Sequence, residues 1–189
     1  MPQPDHPELT LEKLRQTASR IEKYVNLTPI HHWQDPWVVN QVGDGELYLK
    51  LEFLQQTGSF KARGALNNTL TRVKADRNQG VTAVSAGNHA IAVAYAAKTL
   101  GMSAKVLMHR KANPFRISKC QSYGAEVVLV DDITRAFALL EEIAESEDRI
   151  IIHPFDSAPT LQGTALSALK LATLYSILTQ YWLPSAVAD

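Results

Sequence analysis

Two short segments of this 189-residue chain carry the residue types of a reactive site. In Gly58-Ser59-Phe60-Lys61-Ala62-Arg63-Gly64-Ala65, a lysine lies between an aromatic ring and a run of small residues. A lysine amine attacks a carbonyl only when deprotonated, so its pKa must fall through desolvation or a cationic neighbour. Phe60 beside it and Arg63 two residues on offer one candidate of each kind. The plain alternative is a solvated lysine at the start of a surface helix. In Ser85-Ala86-Gly87-Asn88-His89-Ala90, Ala86 and Gly87 let the backbone come close to a ligand. Successive N–H groups entering a helix there form an anion-binding nest. The plain alternative is an ordinary strand-to-helix turn capped by Asn88.

The elements around these segments follow from hydrophobic spacing. Leu11, Leu14, Ala18, Ile21 and Val25 recur at helical intervals, which predicts a helix over 10–25. Thr28-Pro29 breaks it, because the residue before proline avoids the helical region. Leu47, Leu49, Leu51 and Phe53 alternate with polar residues, which predicts a strand. A helix is expected over 61–73. Thereafter strands at 82–85, 104–108, 126–130 and 150–152 alternate with helices at 88–100, 114–123 and 133–145. That rhythm argues for βαβ units and a parallel sheet with helices on both faces. Ligands in such sheets lie beyond the carboxyl ends of the strands, and Ser85 to Asn88 falls at one such turn.

Composition excludes several functions. Lysines plus arginines equal the acidic residues at 19 each, and the charges are mixed along the chain, so no nucleic-acid or membrane surface is expected. A hydrophobic content of 46% with 20% charged is ordinary for a soluble protein. Cys120 is the single cysteine, which rules out an internal disulfide. Residues 1–10 have no basic or apolar stretch of a secretion signal, so a cytoplasmic location is expected. No His/Cys/Asp/Glu group has metal-site spacing, and the adjacent His31 and His32 do not share a face.

The run Thr57 to Ala65 and the Ser85 to Ala90 loop resemble the threonine/serine dehydratase and serine racemase family, the fold type II pyridoxal phosphate (PLP) enzymes. Thr28-Pro29-Ile30, Leu49-Lys50-Leu51-Glu52, Tyr123-Gly124-Ala125-Glu126-Val127 and His153-Pro154-Phe155-Asp156 are similar to further family landmarks, in order, over about residues 10–164. The resemblance implies an α/β fold like the tryptophan synthase β chain, with two lobes of parallel-type sheet flanked by helices. Residues 1–75 would begin the large lobe, 76–157 form the small lobe, and 158–189 return to the large lobe. It implies that Lys61 carries PLP as an imine, that Phe60 packs on the cofactor ring and that Asn88 contacts its phenolic oxygen. Ser85, Ala86, Gly87 and His89 would hold the substrate, a small hydroxy amino acid. Serine racemases typically carry a serine where this chain has Ala86, and alanine cannot relay a proton. The expected reaction is therefore β-elimination to a 2-oxo acid and ammonia. A racemase or another fold type II enzyme is the alternative, and an inactive fragment of a decayed gene a third. The full-length family is usually dimeric or larger.

The tail departs from the family. Beyond Thr164, Lys170 and Asp189 are the only charged residues, and Ala165 to Leu183 reads as an apolar helix too polar for a membrane span. The family follows its Gly-Thr-Gly-Thr landmark with a strand and a glycine-rich loop for the cofactor phosphate. Reading Pro184 to Asp189 one base earlier forces G into the middle position of four successive codons, which permits such a loop. A base lost near codon 164 is the expectation, with 165–189 out of frame and the C-terminal part of the large lobe missing. On that expectation the 189-residue form binds PLP weakly or not at all and is poorly stable.

Overall fold

The computed structural model describes residues 7–72 and 79–182, with side chains of the last helix as far as 172. Helix α1 (Leu11–Ile21) is capped by Thr10, whose hydroxyl accepts from the Lys13 N–H. It ends four residues before Val25, because Glu22–Tyr24 tightens into a 3-10 turn leading to Thr28-Pro29. Strand β1 (Ile30–His32) pairs antiparallel with β2 (Tyr48–Lys50), and Pro36 opens helix α2 (Pro36–Val42) between them behind the Asp35 cap. This antiparallel pair differs from the parallel pairing expected. The strand expected over 47–53 shortens to three residues, since Glu52–Leu54 forms a 3-10 turn and Phe53 points to solvent.

Helix α3 (Lys61–Arg72) is buried on nearly all sides between its neighbours, so it shows no amphipathic stripe. Its expected end at Val73, and the lobe boundary expected near 75, lie outside the described residues, as do His6 and the terminal 183–189. The chain then alternates as its spacing predicts: β3 (Val81–Val84), α4 (Asn88–Leu100), β4 (Ala104–His109), α5 (Pro114–Ser122), β5 (Glu126–Val130), α6 (Ile133–Ser146) and β6 (Ile150–Ile151). These strands form one parallel sheet in the order β5-β4-β3-β6. Val81, Ala83, Val106 and Met108 face the core built with α4 and α5. Val84 and Leu107 face the opposite way, onto Ala136, Leu140 and Ile143 of α6. The period of two along each strand thus gives the sheet its two apolar faces.

Helix α7 (Ala158–Trp182) begins seven residues before the apolar helix expected from Ala165, whose far end at Leu183 lies outside the described residues. Among the described residues no helix is long and apolar enough to cross a membrane. It crosses α3 at two glycines. A Cβ on Gly163 would come within 2.4 Å of the Arg63 carbonyl oxygen, and one on Gly64 within 2.8 Å of Thr164 Oγ1. Only hydrogen at both positions permits this approach. Beside the crossing, Asn68 Nδ2 donates to Ser157 Oγ and Thr160 Oγ1, both at 2.8 Å, and Asn67 Nδ2 to the Pro159 carbonyl at 2.7 Å. The position of Lys61, at the head of α3, is therefore tied to α7.

Candidate active site

The strand order reverses direction at β3: β4 lies on one side of it and β6 on the other. Such a switch point opens a crevice at the carboxyl ends of the strands, because successive connections leave in opposite directions. Ser85-Ala86-Gly87 follows β3, and His153-Pro154 follows β6. Lys61 joins this crevice from α3, donating from Nζ to the Pro154 carbonyl at 2.8 Å. Residues 93 apart in the chain thus meet.

The approach to Lys61 is pinned. Gln55 is buried and exchanges hydrogen bonds with the Asn26 backbone, 2.7 Å from N to Oε1 and 2.8 Å from Nε2 to O. Arg63, 4% exposed, donates to Glu52 through Nε and Nη2, each at 2.9 Å. Thr28 Oγ1 donates to the same carboxylate at 2.6 Å, and Lys50 Nζ lies 3.6 Å from it. Burial alone would raise the Glu52 carboxyl, but the bonds from Arg63 and Thr28 and the charges of Arg63 and Lys50 bring it below the usual carboxylate range. Between these anchors Thr57 and Gly58 take positive φ angles of 70° and 78°. For a β-branched threonine that conformation is strained, so the bend before Phe60 and Lys61 is imposed by its surroundings. Thr57 Oγ1 and Ser59 Oγ are buried there with no hydrogen-bond partner among the described residues.

Burial lowers the Lys61 amine below its ordinary value, although the residue is only half-buried. The Phe60 ring, 38% exposed, has its centroid 5.3 Å from that Nζ. Arg63, suggested by its sequence proximity as the cationic neighbour, is instead committed to Glu52.

Across the crevice, Gly87 precedes α4 with extended φ and ψ angles of −139° and −148° and no side-chain cap. Asn88 is the first helical residue rather than the cap expected on the plain reading, and its side chain is exposed. The opening N–H groups of α4 have no intrahelical acceptor and present the positive end of the helix dipole. Ser85 Oγ accepts from the Gly87 N–H at 3.2 Å, and Arg116 Nη1 donates to the Ala86 carbonyl at 3.4 Å. Ser85, Ala86 and Gly87 are half-buried along this turn. His89 is different: its imidazole is 3% exposed and turned inward to the Ile152 carbonyl, 2.7 Å from Nε2. Burial, with the charges of Lys61 and His153, holds the imidazole down at about 4 although the Ile152 bond works the other way.

Sequence reasoning missed Arg116 and the carbonyls of Ile152 and Pro154. The last two lie in or beside the His153-Pro154 landmark, which was the only signal for them. Cys120 is buried, and burial pushes its thiol up to about 11, so it is inert as a nucleophile. Among the described residues no three His, Cys, Asp or Glu side chains are grouped to hold a metal ion. The desolvated Lys61 amine beside the half-exposed Phe60 ring suits a ligand with an aldehyde on a flat ring, and the opening of α4 suits an anionic group beside it. The residues present fit PLP on those grounds.

Comparison with known proteins agrees. The family model described as pyridoxal-phosphate dependent enzyme matches residues 21–176. The chain is similar to phenylserine dehydratase of Ralstonia pickettii, at 44% identity over 78% of this chain and 44% of that protein. It is similar to L-threonine ammonia-lyase of Thermotoga maritima, at 35% identity over 86% of this chain and 40% of that one. The crystal structure of a pyridoxal 5'-phosphate-dependent aspartate racemase superposes with a TM-score of 0.83 at 31% identity, covering 93% of this chain and 54% of the other. The chain therefore spans about half the length of the relatives it matches.

Proposed function

Because this chain belongs to the pyridoxal-phosphate dependent enzyme family, and to its fold type II branch of dehydratases, racemases and related lyases, we propose that it is part of an ammonia-lyase acting on a small hydroxy amino acid of the threonine/serine type. The observation that carries the reading is the half-buried Lys61 amine, lowered by desolvation and held on Pro154 opposite the opening of α4.

PLP, when bound, supplies an electron sink for charge developing at the substrate α-carbon. Lys61, Phe60 and Asn88 would hold it. The Lys61 amine takes the α-proton, a task that suits a pKa brought down toward the working pH. The N–H groups of the 85–89 turn hold the α-carboxylate, with His89 contributing through its backbone. Ser85 and Gly87 shape that turn. Ala86 has no proton to give, which favours loss of the β-hydroxyl over inversion of the α-carbon. Overall a hydroxy amino acid gives a 2-oxo acid and ammonia, and the water lost in elimination returns in hydrolysis. Residues 76–157 serve as the small lobe in this reading, and residues 1–75 and 158–189 belong to the large one. A cytoplasmic location and a homo-oligomer in the full-length form accompany it.

A racemase is the second reading, supported by the likeness to the aspartate racemase fold. Incubation with PLP and L-threonine, L-serine or 3-hydroxyaspartate separates the two. Release of 2-oxo acid and ammonia that is lost in Lys61→Ala supports the lyase. A D-amino acid product would overturn it in favour of the racemase.

A further inference from the structure

We infer that the imidazole makes His89 a positioning residue for Lys61, the ring acting through the backbone of residues 152–154 while only the His89 backbone serves the substrate. Three successive carbonyls of this segment are each taken by a side chain from a different helix. His89 of α4 holds Ile152 at 2.7 Å, Thr160 of α7 holds His153 at 3.1 Å, and Lys61 of α3 holds Pro154 at 2.8 Å. A carbonyl oxygen only accepts, so Nε2 of His89 carries the proton. The imidazole is neutral at ordinary pH, so Nδ1 is bare. The segment has little freedom left. The Ile152 N–H continues the β6 ladder by donating to the Thr82 carbonyl at 2.9 Å, and His153 Nδ1 accepts from the Asp156 N–H at 2.7 Å. The acceptor that fixes Lys61 is thus two residues from the acceptor that fixes His89.

The consequence lies in the environment of the amine. Lys61 is depressed by burial and by no partner charge, so its reactivity depends on the packing that covers it. The 152–154 segment is part of that cover, and His89 holds its β6 end. Without the His89 donor the Ile152 carbonyl is buried and unpaired, and the segment shifts toward water to satisfy it. Lys61 is then rehydrated and less of it is free amine. This inference rests on the reading of Lys61 as the reactive group.

The test compares His89→Gln with His89→Met. The two side chains have similar reach, but only glutamine places a donor where Nε2 stands. The readout is trace acetylation of Lys61 by acetic anhydride near pH 8, resolved by peptide mass spectrometry, which needs neither PLP nor turnover. His89→Met should slow Lys61 by about tenfold, the equivalent of losing one buried hydrogen bond, while His89→Gln stays within about twofold of the parent. Equal rates in the parent and both variants, or equal slowing in both variants, would overturn the inference. In the parent, 15N NMR of the histidines should find the Nε2–H tautomer at His89. The Nδ1–H tautomer would overturn the inference even if His89→Met does not fold. If Lys61 of the parent reacts no faster than exposed Lys111, the failure belongs to the reading of Lys61 as an activated amine.

Discussion

Acidification should destabilise this protein through His89 in a pH window that opens above that of its carboxylates. The imidazole is buried neutral, with its pKa held at about 4 in the fold against about 6.5 in an unfolded chain. Between those values the unfolded state binds a proton that the folded state refuses, so stability rises with pH across the window. Full stability from this group is present above about pH 6.5 and is lost as the pH falls toward 4. Integrating that linkage gives a loss of about 1 kcal/mol at about pH 5.5 and about 2–3 kcal/mol at about pH 4.5. Against a total stability of about 5–15 kcal/mol, such a loss is measurable by urea unfolding followed by circular dichroism. The same titration in His89→Gln isolates the term, because glutamine keeps the Ile152 hydrogen bond and does not ionise. The slope between about pH 7 and 5.5 should vanish in the variant. An identical slope in parent and variant would mean that the titrating group is not His89.

Gly163→Ala gains about 1 kcal/mol of helix propensity but places a methyl 2.4 Å from the Arg63 carbonyl oxygen, so a net loss of about 1–3 kcal/mol is expected in urea unfolding. Glu52→Ala leaves the Arg63 guanidinium buried without its counter-charge and should cost about 3–5 kcal/mol, read by the same unfolding assay. Ala86→Ser restores a hydroxyl at the turn, and any D-amino acid formed by a loaded, active form should rise relative to 2-oxo acid, as chiral chromatography would record.

Much of this architecture is legible in the sequence because it is periodic. The stretch from β3 to α6 alternates apolar runs of strand length with helical ones, and each boundary carries its own punctuation, such as Pro114 after Asn113 or Gly124 after α5. Strand β1 and helix α2 escape notice because three and seven residues are too few to display a period. Strand β2 stops at Lys50 because the chain enters the Glu52–Leu54 3-10 turn, and there Arg63 holds Glu52, a partner that local alternation cannot reveal. Lys61 and the 85–89 turn stand out by residue type. Their partners at Ile152 and Pro154 are backbone carbonyls, which every residue has, so no side-chain pattern marks them. His89 shows the limit most clearly. Its place in the motif suggests a substrate contact, yet its imidazole turns inward, because its side of α4 packs against the end of β6.

In the proposed function, Lys61 is the amine that engages PLP. The most direct measurement is to incubate the protein with excess PLP, reduce with borohydride and locate the phosphopyridoxyl group by peptide mass spectrometry. A dominant adduct on Lys61 that disappears in Lys61→Ala is expected. An adduct spread over exposed lysines such as Lys111, with Lys61 unmodified, would contradict it.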